Sequence, residues 1–164
     1  MKIIGISGTN GSGKDTVGDM LAECHNFLFV SVTEMLRDEL RRRNVPINRT
    51  ETSRLSAEWR RDFGHGVLAQ KAIEHYKKKQ HAYSGLAIAS LRHPSEVEVV
   101  HEFGGQVIWI DADPKVRYER IQANAHLRNR AGEDNRSYAE LIEDEAREMH
   151  PTMSKYSKKR LKKH

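Results

Sequence analysis

Residues 5–16 read GISGTNGSGKDT. Gly8, Gly13 and Lys14 complete the spacing GxxxxGK, with Thr9, Asn10, Gly11 and Ser12 between them. Ahead of the loop, the apolar run KIIGI at 2–6 predicts a buried strand. Behind it, residues 14–25 predict a helix with Val17, Met20, Leu21 and Cys24 on one face. A glycine turn between a strand and a helix has a specific physical use. Gly8, Gly11 and Gly13 permit backbone conformations and close approaches that a side chain would block. The N–H groups of the turn and of the helix start can then face a polyphosphate, and Lys14 adds a cation at its terminal phosphates. One detail departs from the usual pattern. The hydroxyl residue that contacts magnesium normally follows the lysine; here Asp15 follows it, and the hydroxyl comes one place later at Thr16. Asp15 itself suits a helix first turn, where the dipole stabilises an acid.

Working outward, apolar runs at 27–32, 85–90 and 106–111 predict three more strands. Helices are predicted at 33–44, started by Thr33, and at 50–64, 66–80, 94–105 and 137–149. A helix at 113–128 has Asp113 as its cap and Pro114 at its first position, and 129–136 is a polar loop. This alternation predicts an α/β fold of three layers, a parallel sheet flanked by helices. No apolar strand run follows Met149, so the expected sheet has four strands, lacks a last one and leaves an open edge. Ligands of such sheets bind at the carboxyl ends of the strands. The residues to read are therefore the glycine loop, 31–37, 90–92 and 111–113.

Composition narrows the class. The chain has 164 residues, 37% hydrophobic and 31% charged, which suits one globular domain. No apolar run approaches the ~20 residues of a membrane span, and the N-terminus lacks the pattern of a signal peptide. The single cysteine, Cys24, excludes an internal disulfide and suits a reducing cytoplasm. Its helical position predicts inert core. The net charge of +5 is a property of the tail: residues 155–164 hold six Lys or Arg and no acid, against 22 basic and 23 acidic residues elsewhere. Residues 150–164 are expected to be a disordered, solvated basic tail rather than a nucleic-acid contact. The nine histidines show no metal-ligand spacing. Leu55 and Trp59, at i and i+4, read as helix core; Arg41, Arg42, Arg43, Arg60 and Arg61 read as solvated surface.

The loop, with its non-hydroxyl residue and then Thr after the lysine, resembles the nucleoside monophosphate kinase branch of the P-loop NTPases, where some deoxynucleotide monophosphate kinases have GKDT as here. SVTEMLR at 31–37 resembles the STGDLLR stretch of adenylate kinases, matching at Ser31, Glu34 and Arg37. ASLRHPSEVE at 89–98 lies where the family carries its second phosphate-binding arginine, which places Arg92 near that role. WIDADPKVRYERI and RNRAGEDN resemble the segment leading into the family's lid and the lid itself. The resemblance covers residues 1–149 and also extends to dephospho-coenzyme A kinases.

It implies ATP and Mg2+ as cofactors, bound by Gly8, Asn10, Gly11, Ser12, Gly13, Lys14, Asp15, Thr16 and Arg128, with the metal held through water at Asp15. It implies a small-molecule phosphate acceptor, most simply a nucleoside monophosphate, held by Ser31, Glu34, Arg37 and Arg92 in a helical region at 33–80. Catalytic charge would come from Lys14, Arg92, Arg120 and Arg130, with 120–136 as lid. Ser90 stands where relatives usually place an Asp that holds magnesium-bound water. The readings left open are a kinase of dephospho-coenzyme A or another acceptor, a non-catalytic ATP-binding regulator, and a monomer or a dimer.

Overall fold

The computed structural model describes residues 1–125 and 136–149. Arg128, Arg130, most of the expected lid and the basic tail lie outside the described residues. The chain divides into two compact units, Met1–Asp111 and a second beginning at Ala112.

The first unit is built on β1 (Ile3–Gly8), β2 (Phe27–Ser31), β3 (Gly85–Leu91) and β4 (Gln106–Ile110). They form one parallel sheet in the order β2-β3-β1-β4. Five helices connect them: α1 (Lys14–His25), α2 (Val32–Arg42), α3 (Arg49–Phe63), α4 (Val67–Lys77) and α5 (Pro94–Glu102). Strand alternation divides the apolar residues between two faces. Ile3, Leu28, Val30, Leu86 and Ile88 pack with residues of α2, α3, α4 and α5 in the larger core. Ile6, Ala87 and Ala89 face the other way, with Val17 and Leu21 of α1. The expected three-layer parallel α/β fold is therefore present, with four strands among the described residues.

Helix α1 approaches the sheet more closely than its apolar spacing suggests. A Cβ on Gly18 would sit 2.2 Å from Phe29 Cε2, so only glycine fits there. This centres the buried face on Gly18, between Val17 and Leu21, and corrects the expectation for its flanks: Met20 is 57% exposed and Cys24 is exposed. Helix α2 starts one residue before the predicted Thr33, with Ser31 at its N-cap position. Helix α3 is capped by Asn48, whose side chain accepts from the Glu51 amide at 2.9 Å. Leu55 and Trp59 are core, as their spacing implies.

The second unit contains α6 (Pro114–Ala123) and α7 (Tyr138–Met149). Asp113 caps α6 as expected, accepting from the Lys115 amide at 2.9 Å. The helix ends earlier than predicted, at Ala123, where Asn124 donates from its side chain to the Arg120 carbonyl. Arg117 is buried and joins the two helices: Nε donates to the Ala112 carbonyl and Nη2 to Glu145, both at 2.8 Å. No described helix is long and apolar enough to cross a membrane.

Candidate phosphate-binding site

The turn after β1 needs its glycines for reasons visible atom by atom. Gly8, Gly11 and Gly13 have φ of 142°, 76° and 98°. A Cβ on Gly8 would lie 1.9 Å from the carbonyl oxygen of Ile110. The end of β4 is thus pressed against the first residue of the loop. Gly13 sits left-handed at the N-cap of α1, and a Cβ there would meet no atom within 4 Å. Its requirement is conformational rather than steric. The loop closes through the Ser12 amide donating to the Thr9 carbonyl at 3.4 Å, and α1 begins with the Val17 amide on the Gly13 carbonyl at 3.1 Å.

Lys14 bends back over this turn. Its ammonium donates to the Thr9 carbonyl and lies 3.5 Å from Ser12 Oγ. Thr9 and Ser12 are buried, while Asn10, Asp15 and Thr16 are exposed. The Thr9 hydroxyl donates to Asp111 Oδ1 at 2.5 Å, across 102 positions of sequence.

The ends of β3, beside β1, and of β2, beyond it, bring up the other predicted residues. Cross-strand register sets Ser31, Ala89 and Ile6 level across β2, β3 and β1. Past that level β3 bulges: Ser7 of β1 pairs with Leu91, so Ser90 is an extra residue. Its φ is 70°, a left-handed conformation uncommon outside glycine and typical of bulges near functional sites. The Ser7 hydroxyl donates to the Leu91 carbonyl at 2.8 Å. Arg92 follows, its side chain exposed.

Glu96, fully buried in α5, anchors this turn. Oε2 accepts from the amides of Arg92 at 2.8 Å and His93 at 3.1 Å; Oε1 accepts from Arg60 at 2.5 Å. Arg60 is therefore not the solvated surface residue expected, because it neutralises a carboxylate with no access to water. His93 caps α5 through Nδ1, which accepts from the Ser95 amide at 3.1 Å, and its ring stacks on His65 at 4.5 Å. Burial, then the neighbouring His65 and Arg60, push the His93 imidazole below its ordinary 6.5, against an opposing pull from Glu96 and Glu98. Neither Glu96 nor Arg60 was found by reading the sequence. The one available signal was Glu at the third position of a helix opened by Pro94, a capping-box spacing with His93 in place of Ser or Thr.

On the β2 side, Arg37 is 9% exposed and donates to Glu34 at 2.6 Å. Its Nε is buried without a hydrogen-bond acceptor. Ser31, Glu34 and Arg37 thus share the β2–α2 junction. Arg120 is exposed on α6 in the second unit.

A glycine loop between β1 and a helix, on a parallel sheet of order 2-3-1-4, defines a kinase-like P-loop nucleotide-binding fold. More narrowly, the chain belongs to the AAA domain family, whose model matches residues 4–147. It is similar to a UPF0200 protein of Methanococcus maripaludis, at 27% identity over 91% of this chain and 79% of that one. It is also similar to a UPF0200 protein of Methanocaldococcus jannaschii, at 24% identity over 91% and 73%. In fold it is similar to shikimate kinase from Bacteroides thetaiotaomicron, with a TM-score of 0.51 and 13% identity, covering 95% of this chain and 81% of that one.

Proposed function

We propose that the protein is an ATP-dependent phosphotransferase whose acceptor is a nucleoside or deoxynucleoside monophosphate. The reading is supported by two arginines beyond strand ends on the same side of the sheet, which would supply a second anion-binding position. Arg37, buried with an unpartnered Nε, follows the end of β2, and Arg92, on a turn anchored by Glu96, follows the end of β3, the strand between β2 and the one that ends in the phosphate loop. A protein that only senses ATP needs no second phosphate site.

The chemistry fits the parts. Phosphoryl transfer spreads negative charge over equatorial oxygens, so positioning and fixed positive charge do most of the work. The amides of residues 8–14 and the start of α1 hold the donor phosphates. Lys14 leaves the Thr9 carbonyl to follow the transferred group. Arg37 and Arg92 hold the acceptor phosphate in line, each able to form paired hydrogen bonds. No general base is needed, because the acceptor oxygen is already anionic. Arg120, Arg128 and Arg130 are the candidates for charge supplied over the donor.

The oxygen donors at the loop, Ser12, Asp15, Thr16 and Asp111, suit a hydrated magnesium ion. Among the described residues no group of three His, Cys, Asp or Glu could hold a metal alone. Magnesium keeps several waters and leans on substrate phosphates with one or two carboxylates, so this donor set fits it. When bound, it supplies charge neutralisation at the β- and γ-phosphates.

The test is ADP release in the presence of ATP, magnesium and a panel of ribo- and deoxynucleoside monophosphates. Turnover with one or a few of them is expected. ATP binding without turnover on any would overturn this reading in favour of another acceptor or a nucleotide-binding regulator.

A further inference from the structure

We infer that Arg60 and Glu96 are positioning residues for an anion site at Arg92: they fix the backbone of the turn that presents the Arg92 side chain, and so set how tightly that site holds a phosphate monoester. This rests on the reading of Arg92 as an acceptor-phosphate ligand, and it names the groups that hold that ligand in place.

The turn after β3 is bonded from three elements, while the Arg92 side chain is exposed. From β1, the Ser7 hydroxyl donates to the Leu91 carbonyl at 2.8 Å. From α5, Glu96 Oε2 accepts from the Arg92 amide at 2.8 Å and from the His93 amide at 3.1 Å. From α3, Arg60 donates from Nη2 to Glu96 Oε1 at 2.5 Å and from Nη1 to Ser56 Oγ at 2.7 Å. A capping box requires only the bond to the N-cap amide, here that of His93. The bond to the Arg92 amide is additional, and it falls one residue ahead of that cap.

The turn between α3 and α4 braces the same place. The His65 ring stacks on that of His93 at 4.5 Å between centroids. A Cβ on Gly66 would lie 2.6 Å from Val99 Cγ2 and 3.0 Å from the Ser95 carbonyl oxygen, so the chain there passes too close to α5 for a side chain.

Glu96 is fully buried, and the Arg60 side chain is 22% exposed. A buried ion pair contributes little net stability, and apolar side chains could fill the same space. What the charged carboxylate adds is direction: one oxygen holds two consecutive amides while the other takes a guanidinium. A fixed backbone leaves less freedom to lose when Arg92 grips a phosphate. Among the described residues, no hydrogen bond of Arg60 or Glu96 reaches residues 8–16, so the pair acts on one site and not the other.

The experiment is NMR titration of the full chain with ADP for the phosphate loop, and with AMP, GMP, CMP, UMP, dTMP and inorganic phosphate for the Arg92 site. Binding is followed into the millimolar range for the wild type, Arg60→Ala, Arg60→Lys, Glu96→Gln, Arg92→Ala and the double variant Arg60→Ala/Arg92→Ala. At least one monophosphate is expected to bind the wild type. Arg60→Ala should weaken it about 10-fold with ADP affinity unchanged. Arg60→Lys and Glu96→Gln should lie between Arg60→Ala and the wild type, since each keeps part of the bonding. The double variant should bind no more weakly than Arg92→Ala alone, because the pair acts through Arg92. Four results would overturn the inference: unchanged monophosphate affinity in Arg60→Ala; equal weakening toward ADP and monophosphate, the mark of a general loss of structure; additive losses in the double variant; or no binding of any monophosphate or of phosphate by the wild type. If Arg60→Ala does not fold, Arg60→Lys closes the same cycle with Arg92→Ala. The phosphotransferase reading fails separately: binding in the expected pattern without ADP release from ATP would sink that reading and leave this inference standing, whereas turnover with additive losses would do the reverse.

Discussion

Lys14 competes with itself in this fold. Its ammonium bonds the Thr9 carbonyl, a neutral acceptor that a polyphosphate would displace. Lys14→Ala is therefore expected to cut ADP release by about 100-fold or more, the scale of losing one fixed positive donor in a transition state, while circular dichroism and the unfolding midpoint stay near wild type. Ser90 makes the opposite kind of prediction, about stability. Its φ of 70° is poorly tolerated by a branched side chain. Ser90→Val should lower stability by about 1–3 kcal/mol, whereas Ser90→Gly should be neutral or slightly stabilising; urea unfolding separates the two. The glycines and Lys14 were legible in the sequence because each answers a local demand of backbone or charge. The conformation of Ser90 was not, because it arises from a one-residue slip between β1 and β3.

Elements are held by contacts that propensity alone would misjudge. Ala is a better helix former than Gly by about 1 kcal/mol, yet Gly18→Ala should destabilise the protein by about 1–3 kcal/mol. The added methyl would enter the ring of Phe29 on β2 and push α1 off the sheet. Equilibrium denaturation gives the sign directly, and a stabilised variant would refute this packing. Glu96 ties α5 to α3 and to the turn before α5. Glu96→Ala leaves Arg60 without its carboxylate partner, with only the Ser56 hydroxyl still accepting from it, and should cost about 3 kcal/mol or more. Glu96→Gln keeps acceptors for the Arg92 and His93 amides and should cost less. Helix α1 itself was legible from its spacing. Its exact buried face was not: Met20 and Cys24 share the apolar periodicity but flank a contact centred on a glycine, which hydropathy does not register.

At the scale of the whole molecule, stability should depend on mild acid. The His93 imidazole sits below its ordinary 6.5 because it is half-buried, with His65 and Arg60 beside it. The unfolded chain then binds the extra proton more readily, so this contribution is complete above about pH 6.5 and is lost as the pH falls below it. Protonation at Nδ1 also removes the acceptor for the Ser95 amide that caps α5. Urea midpoints should fall between about pH 7.5 and pH 5. His93→Gln should flatten that slope only in part, because burial and the neighbouring Lys79 and Lys78 lower His75 in the same direction. An unchanged slope in His93→Gln would refute the assignment. The sequence by itself determined the phosphate loop, the alternation of strands with helices and the parallel three-layer class, since glycine conformation and hydrophobic period are written in neighbouring residues. Only the tertiary structure decided the rest. QVIWI reads as a strand, but that β4 is an edge strand of the described sheet, with Ile108 40% and Trp109 55% exposed, is set by the strand order. The order 2-3-1-4 brings Asp111 to Thr9 and sets Glu96 against Arg60. Those pairings join residues tens of positions apart, and their energy exists only once the chain has closed the intervening loops.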